Sequence, residues 1–184
     1  MRCSAVLLAG GKSSRMGRDK AFLEIAGEPL WQRQLATLRH LAPEQLMVSG
    51  PGREEWSEYE IVADERADAG PLAGLAAALR KCATPRLVVL AIDLPEMTTD
   101  FLRSLLRLCG DHQGVVPRRS DRFEPLAAVY PAGCAALAEA ALRDGDFSMQ
   151  RFVRRALEQD LLLERSISEA ETVLFANLNT PADL

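Results

Sequence analysis

Residues Ala5 to Ala9 are five consecutive apolar side chains, and the run breaks directly into Gly10-Gly11-Lys12-Ser13-Ser14-Arg15-Met16-Gly17-Arg18-Asp19-Lys20. An uninterrupted apolar run of this length predicts a strand buried on both faces, as in a parallel sheet covered by helices. Parallel strands need long crossover connections, so the rest of the chain must supply strands and helices in alternation. The segment after the run has the composition of a phosphate-binding loop. Adjacent glycines let backbone N–H groups approach an anion, while Lys12, Arg15 and Lys20 bring positive charge. At the carboxyl end of a strand, such a loop lies where open α/β sheets bind their ligands.

The alternation continues along the chain. A short extended piece over 21–30 leads through a Gly-x-Pro turn to a helix from about Leu30 to His40, marked by Trp31, Leu35 and Leu38 at helical spacing. Gln45 to Ser49 reads as a second strand, Glu54 to Tyr59 as a short surface helix, and Glu60 to Val62 as a brief strand ending at Asp64. Pro71 suits the first turn of a helix that runs to Lys81. Arg86 to Ile92 is the most apolar strand, followed by a helix capped by Thr99 or Asp100 and closed at Gly110. Val115 to Pro117 and Glu124 to Tyr130 extend the sheet, the latter as an antiparallel member. Helices over Gly133–Arg143 and Phe147–Leu157 follow, then short elements at Leu161–Leu163 and Val173–Phe175. The expectation is one domain over residues 1–184, an α/β fold of three layers with a doubly wound, mostly parallel sheet. Loops at Gly10, Ser49, Asp64 and Asp93 would share one edge of it.

Composition narrows the partners. With 22 Lys plus Arg against 26 Asp plus Glu, the net charge is -4, which argues against broad nucleic-acid binding. No apolar run approaches the roughly 20 residues of a membrane span. Met1-Arg2-Cys3-Ser4 runs straight into the first strand, leaving no room for a signal peptide. The four cysteines are scattered without Cys-x-x-Cys spacing, which argues against a structural zinc site and for reduced, mostly buried thiols in the cytoplasm.

Spacing separates the glycine loop from its better-known relatives. A Walker loop ending at Gly11-Lys12-Ser13 would need a glycine where Val6 stands, and no Gly-x-Gly-x-x-Gly begins here. Asp93 is the second focus. A carboxylate directly after an apolar strand sits at the ligand-binding edge, where one hard oxygen ligand suits Mg²⁺ on phosphate oxygens; it could equally begin the turn at Leu94-Pro95. Among Arg118, Arg119 and Arg122, a basic cluster around a loop, Arg122 is the better candidate for an acceptor phosphate because it precedes Glu124-Pro125-Leu126. Arg151, Arg154 and Arg155 read as surface charge, and His40 and His112 as structural or surface residues.

The whole pattern Leu-x-Gly-Gly-x-x-x-Arg-Met-Gly-x-Asp-Lys resembles the signature loop of the nucleotidyltransferases, and Leu8-Ala9-Gly10-Gly11 is similar to that of the molybdenum cofactor guanylyltransferases. Gly70-Pro71-Leu72-Ala73-Gly74, Asp93-Leu94-Pro95, Glu124-Pro125-Leu126 with Tyr130, and Asn177-Leu178-Asn179-Thr180-Pro181 resemble further segments of that family, so the likeness spans the chain. It implies a Rossmann-like fold of the nucleotide-diphospho-sugar transferase type. It also implies Mg²⁺-dependent transfer of GMP from GTP to the terminal phosphate of molybdopterin, with molybdoenzymes and other cofactor-biosynthesis proteins as candidate partners.

Carried over by position, Leu8, Ala9, Gly10, Gly11, Gly70, Pro71 and Leu72 would hold the nucleotide, Lys20 would contact its phosphates, and Asp64 would contact it as well. Asp93 would bind both GTP and Mg²⁺, and with Lys20 and Arg15 it makes up the candidate catalytic set. Asn177 and Asn179 fall on the pterin side with Arg122. Relatives carry an asparagine near the end of the second strand, where this chain has Ser49-Gly50. Two other activities remain open: a cytidylyl or sugar-phosphate nucleotidyltransferase, and a non-catalytic carrier of nucleotide or pterin. Gly10-Gly11 and the 70–74 segment weigh against the former, and Lys20 with Asp93 against the latter.

Overall fold

The structure is a computed structural model and describes residues 2–10, 20–63 and 69–178. In chain order the described elements are β1 (Ser4–Leu8), β2 (Glu24–Ile25), β3 (Glu28–Pro29), α1 (Leu30–Arg39), β4 (Gln45–Ser49) and β5 (Glu60–Val62). They continue with α2 (Pro71–Lys81), β6 (Arg86–Ala91), α3 (Thr99–Leu108), β7 (Gly114–Arg119), β8 (Arg122–Phe123) and β9 (Ala127–Pro131). The last are α4 (Cys134–Arg143), α5 (Met149–Glu158) and β10 (Leu162–Ser166).

The main sheet runs β10-β7-β9-β6-β1-β4-β5, with β8 as a hairpin arm on β7 and β2–β3 as a separate two-stranded ribbon. β1 lies between β4 and β6 and is parallel to both, Leu8 facing Ser49 on one side and Ala91 on the other. The chain leaves β1 towards β4 and β5, then returns through α2 to β6 on the opposite side. That reversal makes β1 and β6 the switch point where a doubly wound sheet opens a crevice. β9 is antiparallel to both β6 and β7, as expected for the 124–130 segment, although the strand itself starts only at Ala127.

Alternation along the central strands sorts the core into two layers. Ala5, Leu7, Val88 and Leu90 pack with Leu35 and Leu38 of α1 and Phe101, Leu102 and Leu105 of α3. Val6, Leu8, Leu87 and Val89 pack on the other face with Leu72 and Leu75 of α2, Ala138 of α4 and Phe152 of α5. A leucine buried this way contributes about 1.5–3 kcal/mol, and both faces are filled, which is why these strands read as continuous apolar runs.

Three local expectations are corrected. Thr98, not Thr99 or Asp100, caps α3: its backbone is extended and its hydroxyl accepts the Phe101 N–H at 3.3 Å. The 54–59 segment is a single 3-10 turn over Glu54–Trp56, and it is no surface helix, because Trp56 is fully buried in the α1/α3 layer. The element near 173–175 is a longer 3-10 helix, Glu169–Phe175, opened by a capping box between Ser168 and Glu171. Phe175 meets Phe101 edge-on at 5.3 Å, which returns the tail to the carboxyl edge of the sheet.

Candidate functional site

The carboxyl ends of β1 and β6 are joined side by side. Ile92 N–H donates to the Leu8 carbonyl at 3.1 Å, and Ala9 N–H to the Ser49 carbonyl at 2.8 Å. Gly50 packs so closely that a Cβ there would stand 3.2 Å from the Gly10 nitrogen and 3.3 Å from the Ala9 carbonyl carbon. A glycine at this position lets the loop after β4 support the Ala9-Gly10 backbone directly.

From the end of β6 the chain turns at Asp93, Leu94 and Pro95, and all three carbonyls are held by donors from distant segments. Leu178 N–H donates to the Asp93 carbonyl at 3.0 Å, Gln34 Nε2 to that of Leu94 at 2.5 Å, and Arg33 Nε to that of Pro95 at 3.0 Å. Lys20 Nζ donates to the Leu178 carbonyl at 2.9 Å. One residue of the tail, Leu178, therefore ties Lys20 to the Asp93 turn through its N–H and its carbonyl. Burial pushes the Asp93 carboxyl above the usual aspartate range, and the nearby Lys20 charge pulls it back only in part.

Asp93 forms part of the wall of a cleft of about 300 Å³, shared with Pro71 at the start of α2, Arg122, Glu124 and Asn177. The Glu124–Leu126 turn lines the same cleft and is pinned by hydrogen bonds. Tyr130 Oη donates to the Pro125 carbonyl at 2.7 Å, and Ala91 N–H to that of Leu126 at 2.7 Å. Gln150, in the first turn of α5, accepts the Phe123 N–H and donates to the Phe123 carbonyl.

Of the residues singled out from the sequence, the structure thus gathers Asp93, Pro71, Arg122 and Asn177 in one cleft and sets Lys20 beside Asp93. Leu8 and Leu72 point into the core, so only their backbones are free to meet a ligand. Ala9 is half-buried, and Gly10 and Gly70 are exposed beside the same edge. Gly11, Arg15, Asp64 and Asn179 lie outside the described residues. Arg118 pairs with Glu164, Arg151 and Arg155 with Asp146, and His40 and His112 are exposed, as surface roles require.

Sequence reasoning missed Gln34, Gln150 and the Leu178 backbone, and it noted Gly50 only as a departure from the relatives' asparagine. Gln34 carried a signal: it sits four residues from both Leu30 and Leu38, a polar side chain on the buried stripe of α1.

A family model described as "MobA-like NTP transferase domain" matches residues 5–161. The chain belongs to this family. MobA-like relatives include a protein of Opitutus terrae named "Probable molybdenum cofactor guanylyltransferase", 42% identical over 98% of this chain and 92% of its own length. Another is the "Molybdenum cofactor guanylyltransferase" of Pseudomonas syringae pv. tomato, 35% identical over 97% of this chain and 90% of that protein. A solved MobA-like structure, "Molybdopterin-guanine dinucleotide biosynthesis protein A" from Archaeoglobus fulgidus, superposes with a TM-score of 0.75 at 26% identity, covering 98% of this chain and 94% of that one. The family match ends at residue 161, while the alignments with these relatives span 97–98% of this chain, so the stretch with Asn177, which lines the cleft, falls within the length compared.

Proposed function

We propose that the chain is a guanylyltransferase that moves GMP from GTP onto the terminal phosphate of molybdopterin and releases pyrophosphate, working in the cytoplasm. The observation that carries this reading is Asp93, which lines the cleft with Arg122 and Asn177 and directly follows Ile92, whose N–H is bonded to the Leu8 carbonyl at the end of β1. Nucleotide on the β1 side and acceptor in the cleft would meet at its carboxylate.

The reaction asks for positioning and charge neutralisation. An oxygen of the acceptor phosphate attacks the α-phosphorus of GTP, a new P–O bond forms, and the bond to the β-phosphate oxygen breaks as pyrophosphate leaves. A phosphate monoester has a second pKa near 6 and is already largely dianionic at neutral pH, so no side chain has to take a proton. Lys20 supplies positive charge to the triphosphate in surroundings partly withdrawn from water, where it counts for more. Arg122 and Asn177 orient the acceptor phosphate. Gly11 and Asp64 are assigned the nucleotide contacts and Asn179 the pterin contact that their matched positions imply, and Arg15 stays in the catalytic set with Lys20 and Asp93.

The donor set fits magnesium: Asp93 offers one hard, partly desolvated carboxylate in a cleft whose other ligands would be phosphate oxygens and water. Held there, the ion supplies positive charge to the reacting phosphates. The fixed carbonyls of Asp93, Leu94 and Pro95 set where that carboxylate can reach.

The test is incubation of the purified protein with molybdopterin, Mg²⁺ and either α-labelled GTP or α-labelled CTP, followed by identification of the labelled product. Label in a pterin–guanine dinucleotide, with equimolar pyrophosphate, is the expected result. A cytosine dinucleotide, or bound nucleotide with no turnover, would refute the assignment.

A further inference from the structure

The cleft is lined by a second carboxylate, Glu124, for which the transfer described above has no use. Its side chain is 23% exposed and stands 3.4 Å from the guanidinium of Arg119, itself 46% exposed. Burial pushes the Glu124 carboxyl up, and the neighbouring Arg119 and Arg122 charges do not bring it back. The fold therefore keeps a carboxylate where its charged form is disfavoured, and a long, half-exposed ion pair contributes too little to explain that. An anion in a cleft for phosphates also repels them.

Its placement makes sense if it faces the other end of the acceptor. The backbone on either side is immobilised, with Glu124 N–H donating to the Pro117 carbonyl at 2.8 Å and Tyr130 holding Pro125. A carboxylate fixed this way presents two acceptor oxygens in one plane. The amino-pyrimidinone edge of a pterin presents a ring N–H and an amino N–H side by side, the complementary pair. Building on the guanylyltransferase reading, we propose that Glu124 determines acceptor specificity by accepting hydrogen bonds from that pterin edge. Its charge also keeps the acceptor phosphate away from this end and directs it towards Asp93, Arg122 and Asn177. An acceptor without the donor edge would leave the carboxylate unpaired in its partly desolvated position.

The test compares the parent with Glu124→Gln and Glu124→Asp, measuring kcat and KM separately for molybdopterin and GTP. In Glu124→Gln one oxygen becomes an amino group that faces a donor. The acceptor KM is expected to rise about 10- to 100-fold, with the KM for GTP and the kcat at saturating acceptor within twofold of the parent. Glu124→Asp keeps both oxygens and should recover part of the loss. The melting temperature of Glu124→Gln should equal or exceed that of the parent, because a disfavoured charge is removed. An unchanged acceptor KM, or a fall in melting temperature with all kinetic constants worsening together, would overturn the proposal. If the parent itself makes no pterin dinucleotide, the guanylyltransferase reading fails, which is a separate result.

Discussion

Replacing Gln34 by leucine tests whether α1 positions Asp93. Gln34 is fully buried, its Nε2 holds the Leu94 carbonyl, and its Oε1 has no hydrogen-bond partner among the described residues. In Gln34→Leu the Leu94 carbonyl loses the side-chain donor but keeps the Met97 N–H at 3.1 Å, so the cost is that of one net hydrogen bond, about 0.5–1.5 kcal/mol. The stranded Oε1 disappears at the same time and returns a similar amount, since it too was a buried polar atom without a partner. The two effects largely cancel, leaving a stability change within about 1 kcal/mol, or about 2–4 °C in melting temperature for a domain of this size.

Turnover has no such compensation. The turn that carries Asp93 keeps two of its three clamps, from Leu178 N–H and Arg33 Nε, so the carboxylate loosens without being lost. Misplacement of a reacting group by about 1 Å costs on the order of 100-fold, and partial loosening should cost about 10-fold. The assay is the initial rate of pyrophosphate release over a range of Mg²⁺ concentrations. The expected signature is a lower kcat with a higher half-saturating Mg²⁺ and little change in the KM of either substrate. Parent kinetics in a folded Gln34→Leu protein would refute the positioning role, and a fall in melting temperature beyond about 10 °C would make the glutamine a packing element.

Other substitutions separate chemistry from architecture. Asp93→Asn should reduce turnover by about 1,000-fold or more while leaving the melting temperature equal or higher, because burial disfavours the charged form it removes; scanning calorimetry beside the kinetic assay checks both. Gly114→Ala places a Cβ into the Val129 carbonyl on the neighbouring strand, which β7 cannot avoid without breaking its pairing with β9. A loss of about 3 kcal/mol or more is expected by urea denaturation. The Arg165 guanidinium, with Ser168, holds the Glu171 carboxyl at about 2, below its ordinary 4.5. A carboxyl lowered on folding stabilises above its unfolded value and loses that contribution as pH falls from 4.5 towards 2. The stability gap between parent and Glu171→Gln, followed by urea denaturation from pH 7 to 3, should therefore be constant at neutral pH and narrow below pH 4.5.

The parts of this molecule that were legible in its sequence are those governed by one dominant local force. β1 and β6 are covered on both faces, so beyond their first residues, Ser4 and Arg86, they carry only apolar side chains, and the abrupt change at Gly10 and Asp93 marks where the sheet ends and ligand space begins. The α3 cap was ambiguous because Thr98, Thr99 and Asp100 all have the chemistry, and only the extended backbone at Thr98 decides among them. The 124–130 run hid a turn inside an apolar segment: Pro125 and Leu126 are held by Tyr130 and Ala91 through backbone carbonyls, and a carbonyl is the same in every residue. The same reason kept the Asp93 clamp out of sight. Two of its three donors are side chains of a helix read as ordinary amphipathic packing, and the third is a tail N–H that arrives only because Phe175 docks on Phe101. A carboxylate can be placed at a sheet edge by reading the strand before it, but its orientation is set by contacts between segments far apart in the chain. That division explains why Asp93 could be named from the sequence while Gln34 and Leu178, which hold it, could not.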